Sequence, residues 1–531
     1  MKYKAYQIFE ADVVDESGKT GKTDKVVSNV KWATGVNDQT QKAIIKVIND
    51  YNKDKADDLK TDASPQDVAN WLTANITGTT NTTVLKDTDL LNMLAGLVAK
   101  NVTPTNPTGV GVASFGADTK VSFDKSGYYL FLTDADTLAS DESTTGSKNT
   151  ATSPIYAVVG AGDVIVSEKT SIPTVNKEVC EGTSWGKVSD SYIGEEVEYK
   201  LTGSVASNIA TFNKYEYVFQ DTLSKGLEVA KSDDGTPKDL RVYIVNNGTQ
   251  IEVKHDDEDG YKVTSSKDEN AKKEKLTISF DNLKAVKSTS NSEIAVDAHS
   301  SVVVTYKAKL NSEVEYRADG ATNEVKLVYS NNPMTDDKGT SESDKVTDYV
   351  FGLDVTKTAS DDPQKKLVAG FKVKMIGEGT TPVSGDQWLT QTGGLTSEAS
   401  KAGVFTTSET DSKVFIPGLV AGKYEITECT TPAGYNSISF TITVTPTYDK
   451  ATGKLTKLTV KDSSDMVTSE FDKKVDSTMI PVTIQNKKGS GLPLTGLNGV
   501  TFTWIAGGAV LCIGVAHLIR SRKQAEESEQ E

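Results

Sequence analysis

The sequence predicts a mainly β protein: β-sandwich domains in tandem, the first with a helical insertion, followed by a single C-terminal transmembrane helix. Three observations lead there. Hydrophobic residues make up only 36% of the chain, beside 41 Gly and many Thr, Ser and Val, a composition that suits pleated, half-buried strands and turns better than helical bundles. Short apolar–polar alternations with turn residues between them recur from Tyr3 to Asn486. One mostly apolar run, Val500 to Ile519, holds about twenty residues, which at about 1.5 Å rise each cross a hydrocarbon core of about 30 Å. At 531 residues the chain has room for three or four domains.

Charge and cysteine usage narrow the function. A net charge of -16 argues against nucleic acid and against anionic lipid as partners. The three cysteines are Cys180, Cys429 and Cys512, the last inside the apolar run. Two distant thiols outside it make no disulfide framework, and nothing has metal-ligand spacing. His255, His299 and His517 give a histidine-based hydrolase or metal site little to work with. No metal and no cofactor is expected.

Residues 1–168 form the first segment. Alternation at Tyr3 to Val14, Lys25 to Trp32, Val121 to Leu132 and Ile155 to Val166 predicts strands. Gln39 to Tyr51 and Ser64 to Asn75 have helical spacing, and Asp87 to Ala99 sets Leu90, Leu91, Leu94 and Leu97 on a helical face. Ser64 followed by Pro65 is a cap with proline at the first helical position. A β-sandwich with a helical insert is expected. The opening Tyr3-x-x-Tyr6-x-Ile8-Phe9, followed by Val30-Lys31-Trp32, resembles the N-terminal domain of backbone pilins.

Residues 169–347 form the second segment. Val197 to Leu201, Tyr215 to Phe219, Leu240 to Val245, Leu276 to Phe280 and Ser301 to Ala308 are strand-like, and their spacing suggests an immunoglobulin-like sandwich. Asp256 to Asn270 reads as a charged hairpin or loop. The stretches Val175-Asn176-Lys177, Phe219-Gln220-Asp221 through Leu227, and Asn323-Glu324-Val325 through Pro333 resemble the isopeptide-forming D2 domain of fimbrial proteins. Pro333 to Asp344, rich in Ser, Asp and Gly, reads as a joint.

Residues 348–490 open with Leu353-Asp354-Val355-Thr356-Lys357-Thr358, contain Tyr424-Glu425-Ile426-Thr427-Glu428-Cys429, and close with Val482-Thr483-Ile484-Gln485-Asn486. This third segment resembles a Cna-B domain, and its middle string resembles the E-box of pilins. Cys429 stands where that family usually has a small hydroxylated residue.

Residues 491–531 contain Leu492-Pro493-Leu494-Thr495-Gly496, then the apolar run, then Arg520, Arg522 and Lys523. The order resembles the LPxTG cell-wall sorting signal of Gram-positive surface proteins. A basic cluster keeps its end of a helix cytoplasmic. Pro493 holds the pentapeptide extended and Gly496 removes bulk at the next peptide bond, so a sortase thiol could reach the Thr495 carbonyl and cleavage would discard the helix. The acidic end from Glu526 to Glu531 and His517 depart from the usual signal. Export also needs an entry signal, and Met1-Lys2-Tyr3-Lys4-Ala5-Tyr6 has no apolar core. Met1 is read as a start placed after a removed signal peptide or as a misassigned gene start.

The two pilin-like resemblances imply self-made cross-links. They assign Lys177, Asp221 and Asn323 to the second segment and Lys357, Glu428 and Asn486 to the third, each set with a lysine near the first strand, an asparagine near the last and an acid between. Burial favours the neutral amine and the protonated carboxyl. The amine is then a nucleophile, and the acid can relay protons to the carboxamide as ammonia leaves. The implied product is a Lys–Asn isopeptide, with Asp221 and Glu428 as self-catalytic acids. Asn176 and Asn331 are the nearest alternatives, and a solvated charge beside a strand is the ordinary fate of lysine. For polymerisation the resemblance implies an acceptor lysine in a motif of the Val-Tyr-Pro-Lys type. Val164-Ile165-Val166-Ser167-Glu168-Lys169 holds that place without Tyr or Pro, which makes Lys169 the expected acceptor.

Together these features imply a structural backbone subunit of a sortase-polymerised, cell-wall-anchored pilus used in adhesion. Its partners would be sortase, neighbouring pilin subunits in a covalent homopolymer, peptidoglycan and a host surface ligand. It would turn over no substrate. The alternative is a monomeric wall-anchored adhesin, which gives a single band where a polymer gives a ladder.

Overall fold

The computed structural model describes residues 1–16, 25–53, 58–80, 82–138, 149–256, 258–376, 385–468 and 475–489. Leu492 to Gly496, the apolar run and Cys512 lie outside them, and among the described residues no helix is long and apolar enough to cross a membrane. The described chain is mainly strand, in five sheets.

In the first segment, Lys2–Asp15 pairs with Lys25–Trp32 on one side and Gly127–Thr133 on the other, and Ile155–Val159 completes the edge. Alternation along the opening strand sends Tyr6 and Ile8 to one face and Ala5 to the other. The first face is covered by helices Asp38–Tyr51, Pro65–Asn75 and Leu90–Asn101 through Ile44, Ile48, Trp71, Leu90, Leu94 and Val98. The layer facing this sheet is thus made by the helical excursion itself. Helix starts follow local chemistry: Asn37 Oδ1 accepts from the Thr40 amide, and Ser64 with Asp67 forms a capping box ahead of Pro65.

Two strands are shorter than expected. The run predicted from Val121 pairs only from Gly127, whose φ of +146° and 2.0 Å approach to the Phe9 carbonyl, measured from where a Cβ would sit, admit no side chain. The run predicted to reach Val166 stops at Val159, because Gly160, Ala161 and Gly162 all have positive φ. Val164, Ile165 and Val166 follow as an exposed stretch, Ile165 at 87% exposure.

The second segment packs two seven-stranded sheets face to face around one core. One runs Lys262–Asp268, Lys273–Phe280, Tyr217–Leu223, Ala321–Ser330, Asp344–Tyr349, Val188–Asp190, with Lys338–Thr340 also on Ala321–Ser330; the other runs Thr249–Glu252, Arg241–Asn246, Ser301–Leu310, Glu196–Ser204, Val175–Glu181, Ser184–Gly186, with Leu227–Val229 also on Ser301–Leu310. Strand Ser301–Leu310 buries every second residue, Val302, Val304, Tyr306, Ala308 and Leu310, and each large aliphatic so placed contributes about 1.5–3 kcal/mol. Pro333 to Asp344 is not the joint. Lys338–Thr340 pairs with Val328–Ser330, and Asp344–Tyr349 adds to the same sheet beside Ala321–Ser330. The crossing falls at Val350, itself buried, between Tyr349 and the next strand at Phe351.

The third segment has a four-stranded sheet, Lys413–Leu419, Phe351–Ala359, Met479–Asn486, Val467–Thr468, against a seven-stranded one that includes Gly370–Met375 and Gly422–Thr430. Its first strand, Phe351–Ala359, and its last, Met479–Asn486, are parallel neighbours. The contacts between segments are both polar and apolar: Asn92 Nδ2 donates to the Thr211 carbonyl at 3.0 Å, Asp190 accepts from the Ala421 amide at 2.9 Å and the Tyr448 hydroxyl at 3.0 Å, Tyr316 meets Phe415 edge-on with ring centroids 4.8 Å apart, and Val188 and Tyr192 pack against the core of the third segment.

Candidate functional site

Two groups of lysine, acid and asparagine are buried in separate cores. In Val175–Glu181 the residues facing in are Lys177 and Val179, both fully buried, while Asn176 is exposed. Strand alternation therefore points a lysine into the sandwich. Tyr217–Leu223 turns Tyr217, Phe219, Asp221 and Leu223 inward, and Ala321–Ser330 turns Asn323, Val325 and Leu327 inward. Asp221 pairs with Val325 and Leu223 with Asn323, so acid and amide are diagonal neighbours on one face.

Lys177 Nζ donates to Asp221 Oδ1 at 2.5 Å and Oδ2 at 2.6 Å from the opposite sheet. It lies 5.6 Å and 5.5 Å from the ring centroids of Tyr199 and Tyr306, which stack on each other. The Tyr306 hydroxyl donates to Asp221 Oδ2 at 2.5 Å and accepts from Asn323 Nδ2 at 2.7 Å and from Lys177 Nζ at 3.2 Å. Burial pushes the Lys177 ammonium down to about 8, against the pull of Asp221. Of the alternatives, Asn176 Oδ1 accepts from Lys187 Nζ, and Asn331 is buried with neither side-chain atom hydrogen-bonded. Asn323 is not on the last strand of its segment, since Lys338–Thr340 and Asp344–Tyr349 follow it.

In the third segment Lys357 takes the inward position after Leu353 and Val355, and Asn486 the one after Val482 and Ile484. Parallel register sets Ala359 opposite Asn486 and Lys357 opposite Ile484. Lys357 Nζ contacts Asn486 Oδ1 directly. Glu428 reaches in from the facing sheet: Asn486 Nδ2 donates to its Oε1 at 2.8 Å and Oε2 at 3.0 Å, and Lys357 Nζ lies 3.8 Å away. The Lys357 amine sits 5.7 Å from the ring centroid of Phe371. Burial lowers Lys357 to about 8 and raises Glu428, in each case against the attraction of the other. Cys429, next along the strand, is exposed and faces away.

Each group holds the parts for acyl-transfer chemistry, an amine, a carboxamide and an acid hydrogen-bonded to one of them; Lys357 Nζ touches Asn486 Oδ1 directly, whereas Lys177 and Asn323 meet through the Tyr306 hydroxyl. Tyr306, Tyr199 and Phe371 were missed by sequence reasoning. For Tyr306 the available signal was a tyrosine at an inward position of an otherwise aliphatic row, since a buried phenol usually finds a hydrogen-bond partner.

Lys169 stands apart from both groups. Its amide donates to Thr152 Oγ1 at 2.8 Å and its half-buried Nζ to the Thr83 carbonyl at 2.7 Å, and burial lowers its value. The neighbouring Glu168 accepts from the Tyr3 hydroxyl.

The family model described as SpaA, prealbumin-like fold domain, matches residues 353–462, a span that ends before the strand carrying Asn486. No curated protein matches the chain. Among solved structures, the chain is similar to the T6 backbone pilin of serotype M6 Streptococcus pyogenes, at 16% identity over 92% of this chain and 96% of that one, with a TM-score of 0.44. It is also similar to the major pilin SpaA of Corynebacterium diphtheriae, at 13% identity over 92% and 95% and a TM-score of 0.43. A third is the pilus 2b backbone protein of group B streptococcus, at 21% identity over 59% and 98% and a TM-score of 0.40.

Proposed function

We propose that the chain is a structural backbone subunit of a sortase-polymerised, wall-anchored pilus, braced by Lys177–Asn323 and Lys357–Asn486 isopeptides. The observation that carries this reading is the burial of two lysines, each without exposure, beside one acid and one carboxamide. An unpaired charge there costs several kcal/mol, and condensation removes the charge from the core. The neutral amine attacks the carboxamide carbon, the acid carries the proton, and ammonia leaves.

In the third segment the bond spans a sequence separation of 129 residues; by analogy with disulfides, closing such a loop is worth about 4–5 kcal/mol. Being an amide, it survives reduction. In assembly, the Thr495 acyl-enzyme would be taken by Lys169 of the next subunit, whose amine must first release the Thr83 carbonyl. Peptidoglycan would be the final acceptor at the cell wall. The division into domains at 168 and 490 belongs to the same proposal, in which the boundary expected at 347 moves to Val350, beyond the strand Asp344–Tyr349.

An immunoblot of boiled, reduced wall extract tests the assembly. A mass ladder that collapses to monomer in Lys169→Ala supports it, and a ladder that persists moves the acceptor to another lysine. A single wild-type band favours the anchored adhesin.

A further inference from the structure

The two sites differ in how the acid meets the amide. Glu428 holds Asn486 Nδ2 with its own carboxylate, whereas Asp221, one methylene shorter, is engaged by Lys177 and meets Asn323 only through the Tyr306 hydroxyl. Asn323 Oδ1 is buried without a hydrogen-bond partner, so the contact with Tyr306 is what orients the carboxamide. The aromatic ring beside Lys357 is Phe371, which has no hydroxyl and needs none.

We infer that Tyr306 is a catalytic residue of the second site, the proton carrier that joins Asp221 to the nitrogen of Asn323 leaving as ammonia. The inference rests on the isopeptide reading above. The Lys177 ammonium gives a proton to Asp221, leaving a neutral amine and a carboxylic acid. Nζ attacks Cγ of Asn323, forming the new C–N bond and an oxyanion. With Asp221 now protonated, the Tyr306 hydroxyl turns to accept from it and to donate to Nδ2, and Asp221 hands its proton to the Tyr306 oxygen as the phenolic proton passes to Nδ2. The Cγ–Nδ2 bond breaks, the carbonyl re-forms and ammonia leaves. Nζ returns its extra proton to Asp221, so the site ends with an amide, a protonated acid and an unchanged phenol. Burial, reinforced by Asp221, raises the Tyr306 phenol well above its ordinary range, so the proton stays within the relay.

The test follows bond formation in newly synthesised full-length chain by intact mass and by peptide mapping of each cross-link. Tyr306→Phe keeps the ring stacked on Tyr199, and the third-segment bond in the same molecule reports that the chain has folded. The expected result is a Lys177–Asn323 bond slowed by about 100-fold or more, in line with the loss of a proton-transfer group, with Lys357–Asn486 forming as in wild type. Adding Asp221→Glu to Tyr306→Phe should restore speed, because the longer acid reaches the amide as Glu428 does. Formation in Tyr306→Phe at the wild-type rate overturns the relay. So does a slow variant that Asp221→Glu fails to rescue, which would leave the hydroxyl a packing role only. Absence of the Lys177–Asn323 peptide from wild type overturns the isopeptide reading itself.

Discussion

Lys177 and Asn323 face each other across the two sheets of one sandwich, whereas Lys357 and Asn486 lie on neighbouring parallel strands of a single sheet. The same three residue types are thus assembled in two topologies. In the second sandwich the acid shares a sheet with the asparagine and grips the lysine; in the third it comes from the facing sheet and grips the asparagine. What the arrangements share is a buried position, an acid beside a lysine whose charge burial disfavours, and an amide within the same hydrogen-bonded group. The two proposed bonds would differ in mechanical consequence. A bond across sheets would clamp the layers together; a bond between the first and last strands of one sheet would carry a pull from one end of the sandwich to the other.

The largest expected effect is the separate loss of each bond. Glu428→Ala should leave the chain heavier by one ammonia than the fully cross-linked mass of that variant and without the Lys357–Asn486 peptide, while Asp221→Ala removes only the other link. If either variant loses both bonds, the sites are not independent. In an Asn323→Ala background, where no bond can form, Asp221→Ala also strands a buried ammonium and should cost about 3–5 kcal/mol, measurable by denaturant unfolding.

Next come Lys357→Met and Lys177→Met, each predicted to lower stability by about 4–5 kcal/mol through the lost loop constraint. Single-molecule pulling should separate them: without its bond the third sandwich should extend through its full chain length, whereas the bonded form should not. Equal extension in both would erase the mechanical distinction.

A smaller effect concerns pH. In Asn323→Ala no bond can form and Lys177 remains an amine, with a folded-state value near 8 and an ordinary value higher in the unfolded chain. Between those values the unfolded state binds the additional proton, so stability should rise with pH above about 8. With the proposed Lys177–Asn323 amide in place the site would not titrate, and wild type should show no such rise from it. A flat curve for Asn323→Ala would mean that Asp221 holds the lysine charged. Smallest of all, Cys429→Ser should leave the third-segment bond complete, because Cys429 faces away from the group that Glu428 joins.

Much of this was legible along the chain. The inward positions of Lys177, Asp221, Asn323, Lys357, Glu428 and Asn486 follow from period-two alternation beside Val179, Phe219, Val325, Val355, Ile426 and Ile484, and the caps at Asn37 and Ser64 are local hydrogen bonds. Other features were not legible. Pro333 to Asp344 has the composition of a linker yet pairs back into its sheet, because the ladder formed with Ala321–Ser330 satisfies backbone groups whatever the side chains. Tyr306 looked like one more residue in an alternating strand.

The sequence by itself determined which residues face a core, which carry amine, acid or amide, and where the Leu492 to Gly496 pentapeptide and apolar run stand, since these depend on neighbours a few positions away. Only the tertiary structure decided which strands share a sheet, that one lysine–asparagine pair crosses the sandwich while the other lies side by side, and that a tyrosine hydroxyl fills the gap left by a shorter acid. Strand pairing is non-local: loop-closure cost varies slowly with loop length, so many pairings differ little in entropy, and the choice falls to the collective packing of two faces.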